Sequence, residues 1–323
     1  MDQQLTSNKL SVIIPICERS DNAITVYQEY RQYIAQQFEN VEFICVVSNG
    51  LKQTADLFQA QKAKEPDLKL IVLNRAYGEA TALQAGVDHA TGSLLLFLPA
   101  YFQVKTEEIT KLFSHIDEHD LVLARRWPRE DVATNQLQTK IFNRCVKLLS
   151  NQNFSDIACG VKLVRADVFK ELHIYGDQHR FLPLLAYQLG FNWVEVDLSQ
   201  SEKDVGNRVY HPGVYVRRLL DLLAIVFLTK FNKKPLRFFG LLGTTSMAIG
   251  VFGLLMLAYE RLVFDVAASD RPLLVVCSLL VVLGIQLLGI GLVGETITFT
   301  HASENREYRV KKIHAHVQTN KAV

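Results

Sequence analysis

Leu10-Ser-Val-Ile-Ile-Pro-Ile16 is a short apolar run that stops at Cys17 and Glu18, and Val41-Glu-Phe-Ile-Cys-Val-Val47 repeats its character before the turn Ser48-Asn49-Gly50. Runs of this length and composition, bounded by turn residues, read as strands buried on both faces. Between them the stretch from Asp21 to about Phe38 reads as helix. The alternation continues with helix over Thr54–Lys64, strand over Leu68–Leu73, helix over Gly78–Ala90 and strand over Ser93–Leu98. Strand and helix in turn imply an α/β fold with a doubly wound, mainly parallel sheet. Such sheets bind ligands beyond the carboxyl ends of their strands. The segments to inspect are therefore Pro15–Glu18, Ser48–Gly50, Asn74–Tyr77 and Pro99–Gln103.

The chain has 323 residues, 49% of them hydrophobic, which excludes disordered and collagen-like classes and requires a packed core. Its cysteines, Cys17, Cys45, Cys145, Cys159 and Cys277, show neither CxxC spacing nor a His pattern, so neither a zinc site nor a disulfide framework is expected. A reducing compartment follows. The charge is unevenly spread: six basic residues and one acid lie between Gly213 and Arg237, and five basic and two acidic residues follow His301. The first 212 residues are thus net acidic, which disfavours nucleic-acid binding.

From Phe238 to Tyr259 and from Pro272 to Gly294 the chain carries no charge, and each run matches the roughly 20 residues a membrane-spanning helix needs. A two-helix transmembrane hairpin is expected, its ends on one side because the linker Glu260–Arg271 is short. Arg217, Arg218, Lys230, Lys233, Lys234 and Arg237 precede the first span, and Arg309, Lys311 and Lys312 follow the second, so both termini are expected to be cytoplasmic. Glycines 240, 243, 250 and 253 in the first span and 284, 289, 291 and 294 in the second suit close helix packing, within the hairpin or between copies. Val214–Phe231 has apolar residues near helical spacing among Arg217, Arg218 and Asp221, the pattern of an amphipathic helix on the membrane interface or of a surface helix of the head. Met1–Leu10 is polar and Ser11–Ile16 is too short for a secretory leader, so the head is expected in the cytoplasm, bacterial inner membrane being the expected setting. The expected domains are a head over 1–212, a juxtamembrane helix over 213–237, a hairpin over 238–300 and a basic tail over 301–323.

Several blocks carry a resemblance. Ser11-Val-Ile-Ile-Pro15 with Glu18 is followed by Arg75-Ala-Tyr-Gly78 and Ala82-Leu-Gln-Ala-Gly86-Val-Asp88-His89-Ala-Thr-Gly92. Later come Asp156-Ile-Ala-Cys-Gly160-Val-Lys162, His179-Arg180-Phe181-Leu182, Gly190-Phe191, Lys203 with Gly206 and Tyr210, and Gly291-Leu-Val-Gly294-Glu295. In this order, with two spans at the end, the chain resembles family 2 inverting glycosyltransferases of GT-A type. Within them it is most similar to the polyprenyl-phosphate transferases, relatives of dolichyl-phosphate mannose synthase and of bacterial undecaprenyl-phosphate sugar transferases. The resemblance implies a nucleotide-sugar donor and a polyprenyl-phosphate acceptor at the membrane. The acceptor phosphate is already largely anionic at neutral pH and needs no strong general base.

The resemblance also implies roles. Asp156 and Arg180 are the catalytic candidates, Asp156 toward sugar hydroxyls or the acceptor and Arg180 as a clamp on phosphate. Pro15, Glu18, Ser48, Asn49, Arg75, Ala100 and Tyr101 are the nucleotide-sugar candidates. Arg180, Lys203, Arg208 and Lys162 are the lipid-phosphate candidates, and Arg125 and Arg126 are further possible phosphate clamps. Each also has a plainer reading: Glu18 as a charge favoured at a helix N-terminus, Asp156 as a turn residue, the cations as solvated surface groups. His89, His179 and Asp88 are expected to be structural.

The departures from the family pattern concern charge. Family members carry acidic residues after the second strand and a DxD-type motif after the fourth; here those places read Val47-Ser48-Asn49 and Pro99-Ala100-Tyr101. Mg²⁺ or Mn²⁺ is usual in the family, but its carboxylate ligands are missing, so no metal residues are assigned. Glu79 stands after Gly78 where Lys is common, and Lys162 where Arg is usual. Two expectations follow: a membrane glycosyltransferase, or a catalytically silent relative acting as a binding or assembly partner.

Overall fold

The computed structural model describes residues 9–17, 22–129, 144, 147, 152–172, 174, 178–204, 235–264 and 272–301. Glu18, Arg208, the expected interface helix, residues 265–271 and the tail from residue 302 lie outside the described residues. The chain divides into two compact units, Met1–Leu222 and Leu223–Val323.

The first unit is built on a seven-stranded sheet: β1 (Leu10–Ile16), β2 (Val41–Val47), β3 (Leu68–Val72), β4 (Leu94–Phe97), β5 (Leu121–Arg126), β6 (Lys162–Arg165) and β7 (Trp193–Leu198). Its order is β3-β2-β1-β4-β6-β5-β7. Strands β1 to β4 pair in parallel, as do β5 and β7, while β6 runs antiparallel to both β4 and β5. The sheet is thus mixed by one reversed strand, which brings the start of β6 beside the end of β4: Lys162 is opposite Phe97. The helices are α1 (Ala23–Gln37), α2 (Lys52–Lys62), α3 (Glu79–Asp88), α4 (Val168–Glu171) and α5 (Leu182–Gln188), with 3-10 turns at Thr106–His115 and Gln178–Phe181.

Because side chains alternate along a strand, two cores form. Val12, Ile14 and Ile16 with Phe43, Cys45 and Val47 join Tyr27, Tyr30 and Ile34 of α1 in one buried cluster. Each such side chain contributes about 1.5–3 kcal/mol by leaving water. On the opposite face α3 lies so close that a Cβ on Gly86 would meet Ile13 Cγ2 at 2.5 Å and Val46 Cγ2 at 3.4 Å. At the amino edge of the sheet, buried Glu42 accepts from Ser11 Oγ at 2.6 Å and Thr91 N–H at 2.6 Å and pairs with Lys69 at 2.8 Å and Lys9 at 3.3 Å. Burial pushes this carboxyl up, but Lys69, Ser11 and Thr91 outweigh it and hold its pKa at about 2.

Among its described residues the second unit has two helices, α6 (Pro235–Phe264) and α7 (Pro272–His301), both long and apolar enough to cross a membrane. At about 1.5 Å per residue each measures roughly 45 Å, against about 30 Å of bilayer hydrocarbon. They outrun the uncharged segments because the backbone bonds continue through Glu260, Arg261 and Glu295. Glycine does the packing. A Cβ on Gly243 would meet Gly284 O at 2.7 Å, one on Gly250 would meet Cys277 O at 2.7 Å, and one on Gly294 would meet Pro235 Cβ at 2.9 Å. Gly289 faces open space within 4 Å. Ser246 Oγ donates across to Leu280 O at 2.9 Å, and Leu236 N–H donates to Glu295 at 3.3 Å.

Candidate active site

All the parallel strands end on one edge, and the segments singled out in the sequence gather there. Pro15 is buried one residue before the end of β1, and the ladder extends one residue past β2, where Ser48 N–H donates to Ile16 O at 3.0 Å. The Ser48 hydroxyl is buried, on a residue 3% exposed, and has no hydrogen-bond partner among the described residues. Asn49 bridges to the next segment by donating to Asn74 O, and Tyr77 OH donates to Asn74 Oδ1 at 2.8 Å. Asn49 and Arg75 are both exposed. Gly78 then takes φ 93°, a left-handed conformation suited to glycine, and turns the chain into α3.

After β4 the chain runs through buried Pro99 and Ala100 to Tyr101, whose carbonyl accepts from Tyr30 OH at 3.3 Å. Gln103, 3% exposed, ties this loop to the next: its Nε2 donates to Tyr101 OH at 2.7 Å and its Oε1 accepts from Gly160 N–H at 2.7 Å. The two loops meet at Gly160, where a Cβ would lie 3.5 Å from Pro99, an ordinary contact, and 3.3 Å from Gln103 Oε1.

Asp156, expected as a catalytic group, is instead held by Arg126 at the end of β5. Arg126 Nε and Nη2 donate to its two oxygens at 2.7 and 2.9 Å, and the Arg126 N–H adds a third bond at 3.3 Å. Burial pushes the Asp156 carboxyl up, but the Arg126 guanidinium and the charge of Arg129 hold it below the usual carboxylate range. Arg126 also reaches Asp204 at 3.3 Å, which accepts from Gln200 Nε2 at 2.9 Å. Arg126 is therefore part of the framework rather than a presented phosphate clamp. Arg125 likewise pairs with Asp197 and lies 5.5 Å from the Trp127 ring centre.

Lys162 is 5% exposed and donates to Cys159 O, so its ammonium is turned inward; burial pulls its pKa down. Lys203 is mostly exposed, pairs with Glu29 at 3.1 Å and sits 4.3 Å from the Phe102 ring centre. Arg180 is half-buried in the 178–181 turn. Its neighbour His179, expected to be structural, reaches Glu79 Oε2 with Nε2 at 3.2 Å. Burial pushes the Glu79 carboxyl up, yet His179, Arg180 and Lys162 together bring it below its ordinary value. The structure thus joins α3 and the 178–181 turn at Glu79. In the sequence Glu79 is marked only by standing where Lys is common; its partner His179 lies 100 residues away.

Among the described residues no three His, Cys, Asp or Glu side chains come together to hold a metal ion. The segments after β2 and β4 offer a hydroxyl, two amides and a phenol, a donor set poor in the carboxylates that hard divalent cations prefer. These residues do not fit the family's cation.

The family model described as glycosyl transferase family 2 matches residues 11–173, just over half of the chain. Among curated proteins, the undecaprenyl-phosphate 4-deoxy-4-formamido-L-arabinose transferase of Photorhabdus laumondii is 25% identical over 317 residues, covering 97% of this chain and 96% of its own. The enzyme of the same name from Shewanella sediminis is 27% identical over 292 residues, covering 89% and 86%. Among solved structures, mannosyl-3-phosphoglycerate synthase from Rubrobacter xylanophilus superposes with a TM-score of 0.54 at 14% identity, over 69% of this chain and 74% of that one. At that identity the likeness speaks for the fold, a GT-A-like one.

Proposed function

The chain belongs to glycosyl transferase family 2, and from that membership we propose that it is an integral-membrane transferase that moves a sugar from a nucleotide donor to undecaprenyl phosphate or a similar polyprenyl phosphate. The observation that carries this is the end-to-end likeness to an undecaprenyl-phosphate sugar transferase, 97% of one chain against 96% of the other, which takes in the hairpin as well as the head. A lipid acceptor explains why a sugar-transfer fold is joined to two long apolar helices. The domains proposed are the head over 1–212, a juxtamembrane helix over 213–237, the hairpin over 238–300 and a tail over 301–323, with head and both termini cytoplasmic.

In the proposed reaction a phosphate oxygen of the acceptor attacks the anomeric carbon. A new carbon–oxygen bond forms as the bond to the donor's diphosphate breaks, and the electron pair leaves with the nucleoside diphosphate, inverting the centre. The acceptor oxygen is already anionic, so the demand on the protein is to neutralise the departing charge. Arg180 is the half-buried cation on the site edge suited to that. With Pro99-Ala100-Tyr101 in place of a DxD motif, no step is assigned to a divalent cation.

A second reading, a silent relative that binds partners, is favoured by one specific feature: Asp156, the acidic residue of its block, is already committed to Arg126. Purified full-length protein incubated with UDP- and GDP-sugars and undecaprenyl phosphate, with and without EDTA, separates the two. Lipid-linked sugar that persists in EDTA supports the transferase; its absence with every donor supports the silent relative. Protease mapping in sealed vesicles tests the orientation.

A further inference from the structure

The loop after β4 holds a chain of hydrogen bonds whose direction is fixed. Gly160 N–H donates to Gln103 Oε1 at 2.7 Å. A backbone N–H can only donate, so this contact identifies the oxygen end of the Gln103 amide. The buried Cys159 thiol, whose pKa burial pushes up, donates to the same oxygen at 3.5 Å. The other end of the amide is therefore its nitrogen, and this donates to Tyr101 OH at 2.7 Å. With the phenol oxygen accepting from Gln103, the hydroxyl hydrogen of Tyr101 lies on the side away from that amide.

The loop that carries the chain is pinned on several sides. Gln103 is 3% exposed, and Ser201 N–H donates to its carbonyl at 3.1 Å. Val104 bridges to Gln200 in the segment after β7. The buried Tyr30 donates to Tyr101 O at 3.3 Å, and Phe102 packs edge-on against the Tyr30 ring with centres 5.5 Å apart. Tyr101 itself is half-buried at the edge where the parallel strands β1 to β4 end.

This wiring separates cations from anions. A divalent cation needs oxygen lone pairs. Those of Gln103 Oε1 already take two donors, the Tyr101 oxygen takes the Gln103 N–H, and Pro99, Ala100 and Phe102 bring no polar side-chain atom. An anion needs a hydrogen aimed at it, and a phenol polarised by a hydrogen bond into its oxygen is the stronger donor for it. We infer that this loop binds the donor's diphosphate directly, the Tyr101 hydroxyl donating to a diphosphate oxygen with no divalent cation between them, and Gln103 serving as the positioning residue that sets the direction of that bond. The identity of the anion rests on the transferase reading.

The test is titration of the full-length protein in detergent with UDP and with GDP, in EDTA and in Mn²⁺ or Mg²⁺, comparing the unaltered chain with Tyr101→Phe, Gln103→Glu and the double variant. Tyr101→Phe removes the hydroxyl and should weaken nucleotide binding about tenfold. Gln103→Glu keeps the shape and still accepts from Gly160 N–H, but its second oxygen accepts from Tyr101 and turns the hydroxyl hydrogen inward, so the loss should be similar. Added to Tyr101→Phe, it should cost little more. Repulsion of the diphosphate by the new charge, or a loosened loop, would cost as much in both backgrounds, and that result removes Gln103 as the positioning residue. In the unaltered chain either cation should change the affinity by less than about twofold. A cation-dependent gain of about tenfold or more, Tyr101→Phe binding as tightly as the unaltered chain, or no binding of either nucleotide overturns the inference, and none of these readings requires the Gln103 variant to fold. The lipid-linked sugar assay judges the transferase reading separately. Turnover that needs a cation sinks the inference alone, and cation-independent binding that depends on Tyr101, without turnover, upholds the loop's role while sinking the transferase reading.

Discussion

Arg126 and Asp156 meet as a two-pronged pair, Nε to Oδ2 at 2.7 Å and Nη2 to Oδ1 at 2.9 Å, with side chains 3% and 1% exposed. A fork of this kind is directional and strong, and in the interior each partner is costly to leave alone. It fastens the end of β5 to the 152–160 loop, while the second contact, to Asp204, fastens both to the segment after β7. One guanidinium therefore holds three chain segments that border the proposed site.

Replacing Arg126 by Met should destabilise the head by about 3–5 kcal/mol, because two buried carboxylates lose their counter-charge. Arg126→Lys should recover little, a point charge being unable to serve both oxygens of Asp156 and Asp204. Denaturant melts of the full-length variants read this out. Asp156→Ala should likewise lower the melting temperature, and a variant that melts normally yet loses turnover would return Asp156 to a catalytic role.

Glu42 predicts an acid limb of stability. Its folded pKa, about 2, is depressed below the ordinary 4.5, so its contribution is full above the unfolded value and is lost as pH falls from about 4.5 toward 2. The linked stability is about 3 kcal/mol. Glu42→Gln should remove much of the difference in melting temperature between pH 6 and pH 3, and an unchanged difference would show that other carboxylates govern it.

The hairpin offers a matched pair of substitutions. Gly284→Leu drives a side chain into backbone, since even a Cβ would lie 2.6 Å from Gly243 O, whereas Gly289→Leu meets nothing within 4 Å. Cysteines placed on facing turns of α6 and α7 should cross-link poorly in the first variant and normally in the second. Equal loss in both would mean that Gly289 packs against a second copy.

Arg180→Ala should abolish lipid-linked sugar formation, a loss of at least a hundredfold, while leaving the melting temperature within a degree or two of the unaltered chain. The test is turnover and thermal unfolding on the same preparation. Persisting activity would remove Arg180 from the departing charge.

The contrast between Ser48 and Glu79 shows what was legible beforehand. Ser48 could be placed at the mouth of the sheet from Val41–Val47 and its turn alone, because strand length and turn chemistry are local. Glu79 could be numbered but not interpreted, since His179 reaches it across the fold. Lys162 misled for the same reason: beside Gly160 it reads as a presented cation, but pairing opposite Phe97 turns it toward Cys159 O.

Periodicity, charge and run length were enough to determine a strand–helix alternation, two apolar spans and the edge at which the parallel strands end, because hydrophobic pattern acts through nearest neighbours along the chain. Only the tertiary structure decided that β6 is reversed, that Asp156 belongs to Arg126 and that His179 reaches Glu79. Those outcomes depend on Coulomb and hydrogen-bond contacts a few ångströms long, and which groups come that near is settled when distant segments pack.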